Sequence, residues 1–291
     1  MTETRFTRDA ITTATAVAVA TSRVKVGTVV VNAVTRGAVL TAVTFAALDE
    51  VADGRVILGI GPGSPHILDK QGFGFTKPLV RMRECLEVTR RLLTGESVTY
   101  QGETVSVRDV KLDFQPRRPM MPVYFGVTGL QALAFAGEIA DGVILNGFTS
   151  VDYAHRALAH IGLGADRAGR RAEEVDIASF LSVSIDTDSA KAKDAIRPLV
   201  ATYLSNFPNI ARESGVPEAE PDAIRRAYVQ GGAAVAAELV PDEVVDRLTC
   251  AGTPDECRAR IAERRAAGVT LPILGLAFGD RDLALESLIA E

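Results

Sequence analysis

The sequence predicts an α/β protein built on a parallel sheet, and three observations carry that expectation. Short apolar runs alternate with longer stretches of helical periodicity along most of the chain. The apolar runs are near-continuous rather than alternating, as in strands buried on both faces. The segment Pro122 to Gly147 (PVYFGVTGLQALAFAGEIADGVILNG) reads as strand, turn, helix and strand in immediate succession, a βαβ unit with a parallel crossover. Glycine-rich turns mark strand ends in closed barrels and in open doubly wound sheets, so the pattern leaves both architectures open.

The elements follow in order. Thr12 to Ala20 reads as a helix and Arg23 to Val31 (RVKVGTVVV) as a strand. A helix over Ala38 to Glu50 is stopped by Asp53-Gly54, and the strand Val56 to Ile60 runs into Gly61-Pro62-Gly63-Ser64-Pro65. Lys77 to Leu93 is a strong helix, because Leu79, Met82, Leu86, Thr89 and Leu93 lie three or four apart with Arg and Glu opposite. Residues 97–114 have period two around a Gln-Gly-Glu turn and form a hairpin insertion, placed to wall a site. Val123 to Val127 and Val143 to Leu145 are buried strands either side of a helix carrying Leu130, Leu133, Ala134 and Ile139 on one face. Val151 to Ala168 is helical, Val175 to Ile185 a strand, and Ser189 to Leu204 helical again. Residues 206–232 hold several prolines and read as an irregular insertion. Pro241 to Leu248 and Pro254 to Ala267 are helices, Leu271 to Phe278 is a last buried strand, and Leu283 to Ala290 closes the chain as a helix. About six strands are visible, in one domain spanning 1–291.

Composition narrows the function. The 291 residues are 47% hydrophobic, enough for a full α/β core. A net charge of -5 would repel a phosphate backbone, so nucleic acid is not the expected partner. Cys85, Cys250 and Cys257 are odd in number and lack zinc spacing, which suits buried thiols in a reducing compartment. The N-terminus lacks the basic start and apolar core of a signal peptide, and no apolar run reaches the roughly 20 residues of a membrane helix. A cytoplasmic protein that avoids membranes is expected.

Several residues stand out chemically. Thr128 can cap the helix after it, and Gly129 lets backbone amides approach a ligand. Free amides at a helix start with no acidic side chain nearby suit a phosphate. Gly59, Gly61 and Gly63 alternate across a strand end, yet no helix start and no acidic residue follow where a dinucleotide fingerprint needs them. They read instead as a loop against which a flat ring or a phosphate could lie, or as a tight turn. Asn32 ends the strand Val29-Val30-Val31, where its amide could read a polar ring edge. His66 follows the glycine loop and is a candidate proton donor or binding group, whereas His155 and His160 share a helix and read as surface groups. No metal-ligand cluster or nucleophile triad appears, which points to a cofactor doing the chemistry.

Four ordered segments resemble one family: GRVILGIGPGSP (Gly54 to Pro65), RMRECLEVTRRLLTGESVTYQGE (Arg81 to Glu103), PVYFGVTGLQALAFAGEIADGVILN, and AGTPDECRARIAERRAAGV (Ala251 to Val269). They are similar to the luciferase-like monooxygenase superfamily, in its branch using the deazaflavin coenzyme F-420, which includes methylene-tetrahydromethanopterin reductase. The resemblance implies a TIM-type (β/α)8 barrel binding the cofactor at the C-terminal ends of its strands. It implies a phosphate held at Thr128 and Gly129, helped by Gln131 and Ala132. It implies Pro62, Gly63 and Ser64 beside the ring, a non-proline cis peptide at Val29-Val30 behind it, and a cofactor contact from Asn32. Ser64 stands where sugar-phosphate dehydrogenases of the family carry a catalytic Glu, so that substrate class is not expected. The family's usual first strand-helix-strand unit has no counterpart before Asp9, so the barrel is expected to be incomplete at its N-terminus and the chain to form a homodimer. The implied activity is hydride transfer between F-420 and a small organic substrate. The alternatives are an FMN-dependent monooxygenase and a non-catalytic flavin-binding remnant.

Overall fold

The computed structural model describes residues 1–3, 6, 8–217 and 219–289. Their contacts group them into two compact units. The first holds Met1–Val127, Phe135–Ile144 and Ala165–Val175; the second holds Thr128–Ala134, Leu145–Gly164 and Asp176–Glu291.

In the first unit the Asp9 carboxylate accepts from Thr12 N at 2.6 Å and caps α1 (Ala10–Ala20). The strand expected over Arg23 to Val31 is broken into β1 (Val26–Gly27) and β2 (Val31–Asn32). A helix α2 (Gly37–Val51) follows, then β3 (Val56–Gly61), which pairs in parallel with both pieces. Gly27 lies opposite Ile57 and Val31 opposite Ile60, so four residue steps on one side face three on the other. One residue is extra, which makes this a bulge. Thr28 repairs the ladder there: its hydroxyl donates to Gly59 O at 2.7 Å and accepts from Gly59 N at 3.1 Å. The Val29–Val30 peptide inside the break is cis, as the resemblance implied. Along the same edge Met1 N donates to Gly27 O, Val29 N to Met1 O and Glu3 N to Val30 O.

Buried Asp49 closes the return from α2 to β3, accepting from Val56 N and from two nitrogens of Arg118 at 2.6 and 2.8 Å. Beyond β3 come α3 (Pro65–Asp69) and α4 (Pro78–Leu93), which buries Met82, Cys85, Leu86, Leu92 and Leu93. The expected hairpin is present as antiparallel β4 (Val98–Gln101) and β5 (Ser106–Val110). Glu84 on α4 fastens its turn, accepting from the amides of Glu103, Thr104 and Val105 and from the Thr104 hydroxyl. Strand β6 (Val123–Gly126), helix α5 (Leu130–Ile139) and strand β7 (Gly142–Leu145) form the expected βαβ unit; β6 pairs in parallel with β3 and with β7.

The second unit is organised on β8 (Asp176–Ile185), after α6 (Val151–Arg167). It contains α7 (Ser189–Asn206), α8 (Pro208–Glu213), α9 (Ala219–Ala237) and α10 (Asp242–Leu248). Then come β9 (Cys250–Gly252), α11 (Pro254–Ala266), β10 (Leu271–Gly279) and α12 (Arg281–Leu288), with β9 and β10 both parallel to β8. Leu181, Val183 and Ile185 pack with Cys257 and Ala284, while Ile196, Val200, Leu204, Ile224 and Val245 gather under α7 to α10. Thr253 and Glu256 form a reciprocal capping box at the start of α11.

Two expectations need correction. Residues 206–232 are mostly helical rather than irregular, with Phe207 and residues 214–217 as the non-helical links and Glu218 outside the described residues. Pro208 stands at the start of α8, and Pro221 in the opening turn of α9, where a missing N–H costs nothing. Within α9 the helix is interrupted at Gly232, whose φ is 76°. The strand count also rises, because β9 went unread: three residues between helices carry no apolar run. The last helix ends at Leu288, and Ala290 lies outside the described residues. Among the described residues no helix is long and apolar enough to cross a membrane.

Candidate functional site

In the first unit the sheet brings Val30, Asn32 and the Pro62-Gly63-Ser64 loop together. The Val30 side chain nests between two glycines of neighbouring strands. A Cβ on Gly61 or on Gly126 would each come within 2.7 Å of a Val30 methyl. Gly59 is tighter still, since a Cβ there would stand 1.7 Å from Thr28 O. Packing around the bulge therefore requires two of the three alternating glycines, and Gly63 is set by its φ of 84°. Asn32 is buried, and its carboxamide is half committed: Oδ1 accepts from Val34 N at 2.7 Å and Thr35 N at 3.3 Å. Only its NH2 group is left to read a ligand, and it lies against Gly63, where a Cβ would come within 2.2 Å of Nδ2. Val29, Pro62, Gly63 and Ser64 are half-buried, while His66 is exposed on the short α3.

In the second unit the turn before α5 is held from behind. The Tyr153 hydroxyl donates to Thr128 O at 2.8 Å, and Tyr153 is 1% exposed. Burial pushes its pKa up, which keeps the hydroxyl a donor. Because the Thr128–Gly129 peptide is trans, its N–H points away from its C=O. With the carbonyl turned to a buried phenol, the Gly129 N–H faces outward. Gly129 is exposed, has no left-handed φ, and a Cβ on it would meet nothing within 4 Å. Its carbonyl starts the helical ladder by accepting from Leu133 N at 2.9 Å, so the amides of Leu130, Gln131 and Ala132 precede the first intrahelical bond. Gln131 is exposed and Ala132 half-buried on this first turn. Sequence reasoning missed Tyr153. A turn carbonyl must find a partner, but nothing local says that it stands 25 residues on.

A family model of luciferase-like monooxygenases matches residues 1–271. The chain belongs to this family. It is 36% identical to a 5,10-methylenetetrahydromethanopterin reductase of Methanolobus tindarius over 94% of this chain and 83% of that protein. It is 31% identical to a putative coenzyme F-420-dependent oxidoreductase of Mycobacterium tuberculosis over 91% of this chain and 83% of that protein. Among solved structures, the coenzyme F-420 dependent tetrahydromethanopterin reductase of Methanopyrus kandleri superposes with a TM-score of 0.89 at 30% identity, covering 98% of this chain and 87% of that one. The chain thus has the expected fold class, an α/β fold on a parallel sheet that matches the TIM-barrel-like luciferase-like fold, and this family member is an enzyme.

Each unit by itself presents residues that suit one part of a phosphorylated tricyclic cofactor. The space over Gly129 is open, and backbone amides at a helix start are chemically suited to an anionic tail. Val30, fixed between Gly61 and Gly126, offers an apolar back to a flat ring.

Proposed function

We propose that the chain is an F-420-dependent oxidoreductase that moves hydride to or from a small organic substrate. The observation that carries this reading is the outward N–H of Gly129 on a peptide whose carbonyl is locked to Tyr153; the names of the similar proteins support it. In the second unit the amides of Gly129, Gln131 and Ala132 bind the anionic tail, with Thr128 shaping the turn. In the first, Val29 and Val30 back the ring, and the Asn32 NH2 group and Pro62, Gly63 and Ser64 line its edge. F-420 itself supplies the two-electron chemistry when bound. His66 is the residue we assign to holding or delivering a proton. The Gly63 backbone and the buried Val30 side chain keep water from the ring face.

The test is Gly129→Leu. The new side chain enters open space, so stability should change by no more than about 1 kcal/mol, while F-420 affinity falls at least tenfold. Unchanged affinity overturns the assignment of the tail. Tight FMN binding without F-420 binding would convert the reading to an FMN-dependent monooxygenase, and cofactor binding without turnover over a broad substrate panel would make the chain a binding remnant.

A second copy of the chain is the partner we propose for the outer face of α2. Leu40, Val43 and Val51 are exposed there, and Glu50 is the one charged side chain among the exposed positions of that helix. In a chain of net charge -5, such a face lets two copies meet without like-charge repulsion.

A further inference from the structure

Strand β8 turns two different faces. Leu181, Val183 and Ile185 pack with Cys257 and Ala284. The alternate residues Phe180, Ser182 and Ser184 face the other way. On that side Gly147, just past β7, and Gly275 on β10 leave room that the Phe180 ring fills. A Cβ on Gly147 would come within 2.9 Å of Phe180 Cδ1, and one on Gly275 within 2.5 Å of Phe180 Cζ. The same Gly147 position lies 3.1 Å from Ser182 Oγ, and the strand register sets Gly275 opposite Ser182.

Ser182 is 5% exposed, yet its hydroxyl makes no hydrogen bond among the described residues. Ser184, two positions on, donates to Ala192 O at 2.6 Å. Buried hydroxyls without a partner are rare, and each asks for an explanation. The side-chain atoms that are both unpartnered and sealed from solvent are Arg55 Nε, Arg81 Nε and Glu220 Oε2 among the described residues. The Ser182 hydroxyl is not one of them, so it keeps some accessible surface. Phe180, on the same face, is half-buried. Gly147, Phe180, Ser182 and Gly275 carry no charge.

We propose that Phe180 and Ser182 form a specificity-determining wall for the reacting portion of the substrate, and that this portion is a flat, uncharged group with one hydrogen-bonding atom. The ring offers an apolar face, and the hydroxyl can donate or accept. None of these four residues could replace the water an anion would lose, so the wall selects against charge. Naming the occupant a substrate rests on the oxidoreductase reading above; the chemistry of the wall does not.

Benzamide and benzoate are a matched pair for the test, equal in shape and different in charge. Their binding to the protein with and without F-420 is measured by ligand-observed NMR. Benzamide should bind and benzoate at least tenfold more weakly. Ser182→Ala, which removes one oxygen and leaves the packing intact, should weaken benzamide about tenfold, and Phe180→Leu should abolish its binding. Equal or tighter benzoate, no benzamide binding, or benzamide binding untouched by Ser182→Ala overturns the proposal. Competition between benzamide and F-420 gives the wall to the cofactor and also overturns it. Should F-420 fail to bind while benzamide is still preferred over benzoate and sensitive to Ser182→Ala, the neutral wall is supported and the oxidoreductase reading alone is lost.

Discussion

Replacing Tyr153 by Phe should loosen the grip on the cofactor's anionic tail without touching any residue that contacts it. The substitution keeps the buried ring and removes the one hydroxyl that donates to Thr128 O at 2.8 Å. Thr128 O and Gly129 N–H belong to the same peptide, so a bond to the carbonyl polarises the N–H at its other end. Such cooperativity strengthens a hydrogen bond by roughly 10–30%, and a charge-assisted bond contributes about 1.5–3 kcal/mol. The product is about 0.2–0.9 kcal/mol, or a roughly 1.4- to fivefold rise in Kd for F-420. The carbonyl also loses its partner, so folding stability should fall by about 1 kcal/mol. Fluorescence titration with F-420 reads the first effect and guanidinium denaturation the second. If stability falls while Kd stays the same, Tyr153 braces the core and does not tune the turn. A rise of a hundredfold or more would mean that the turn has collapsed, which the polarisation argument does not allow.

Three further outcomes are expected. Glu84→Gln should destabilise the chain by about 1–3 kcal/mol at neutral pH, because one amide of the hairpin turn then faces an NH2 group. Burial by itself would raise the Glu84 pKa, but the bonds from Thr104, Glu103 and Val105 outweigh it and hold the carboxyl below its ordinary 4.5. That stability is present above the unfolded value and is lost as pH falls through the folded one. The gap between wild type and variant in urea denaturation should therefore begin to narrow as pH falls below the ordinary 4.5 and close once it has passed the lowered folded value; a gap of constant size would refute the assignment. His66→Gln should leave F-420 affinity unchanged and lower kcat about a hundredfold, and an unaltered kcat would remove His66 from the chemistry. Val43→Glu should convert dimer to monomer in sedimentation velocity, and a chain already monomeric, or still dimeric with Glu there, would exclude α2 as the joining face.

What the sequence disclosed and what it hid divide along a physical line. Elements set by local periodicity were legible: the βαβ unit around Thr128 and Gly129, the long apolar stripe of α4, and the hairpin with its Gln-Gly-Glu turn. The break between β1 and β2 was not, because a bulge is a mismatch between two strands and leaves no mark in either alone. Nothing in RVKVGTVVV says that Thr28 will stand in for the ladder opposite Gly59, although the glycine is there because Thr28 O comes so close. Proline misled for a related reason. Pro208 and Pro221 were weighed as breakers when their places in opening turns make them compatible with helix.

The candidate site shows the same division at the level of single groups. Residues whose role is to present backbone, Gly129 above all, announce themselves by type and by the helix that follows. Residues whose role depends on a distant partner, or on lacking one, do not: Tyr153 finds Thr128 from 25 positions away, and Ser182 matters because it bonds to nothing. Ser179, Ser182 and Ser184 do punctuate β8, which is otherwise apolar after Asp176, and that was a readable signal. Distinguishing the serine that donates to Ala192 O from the one left open needed the fold, since both lie on the same face of the same strand. A hydroxyl held open inside a packed sheet costs stability that packing elsewhere must offset. Where substrate contact is the compensation, Ser182→Ala should give a protein at least as stable as the wild type in guanidinium denaturation and poorer at binding.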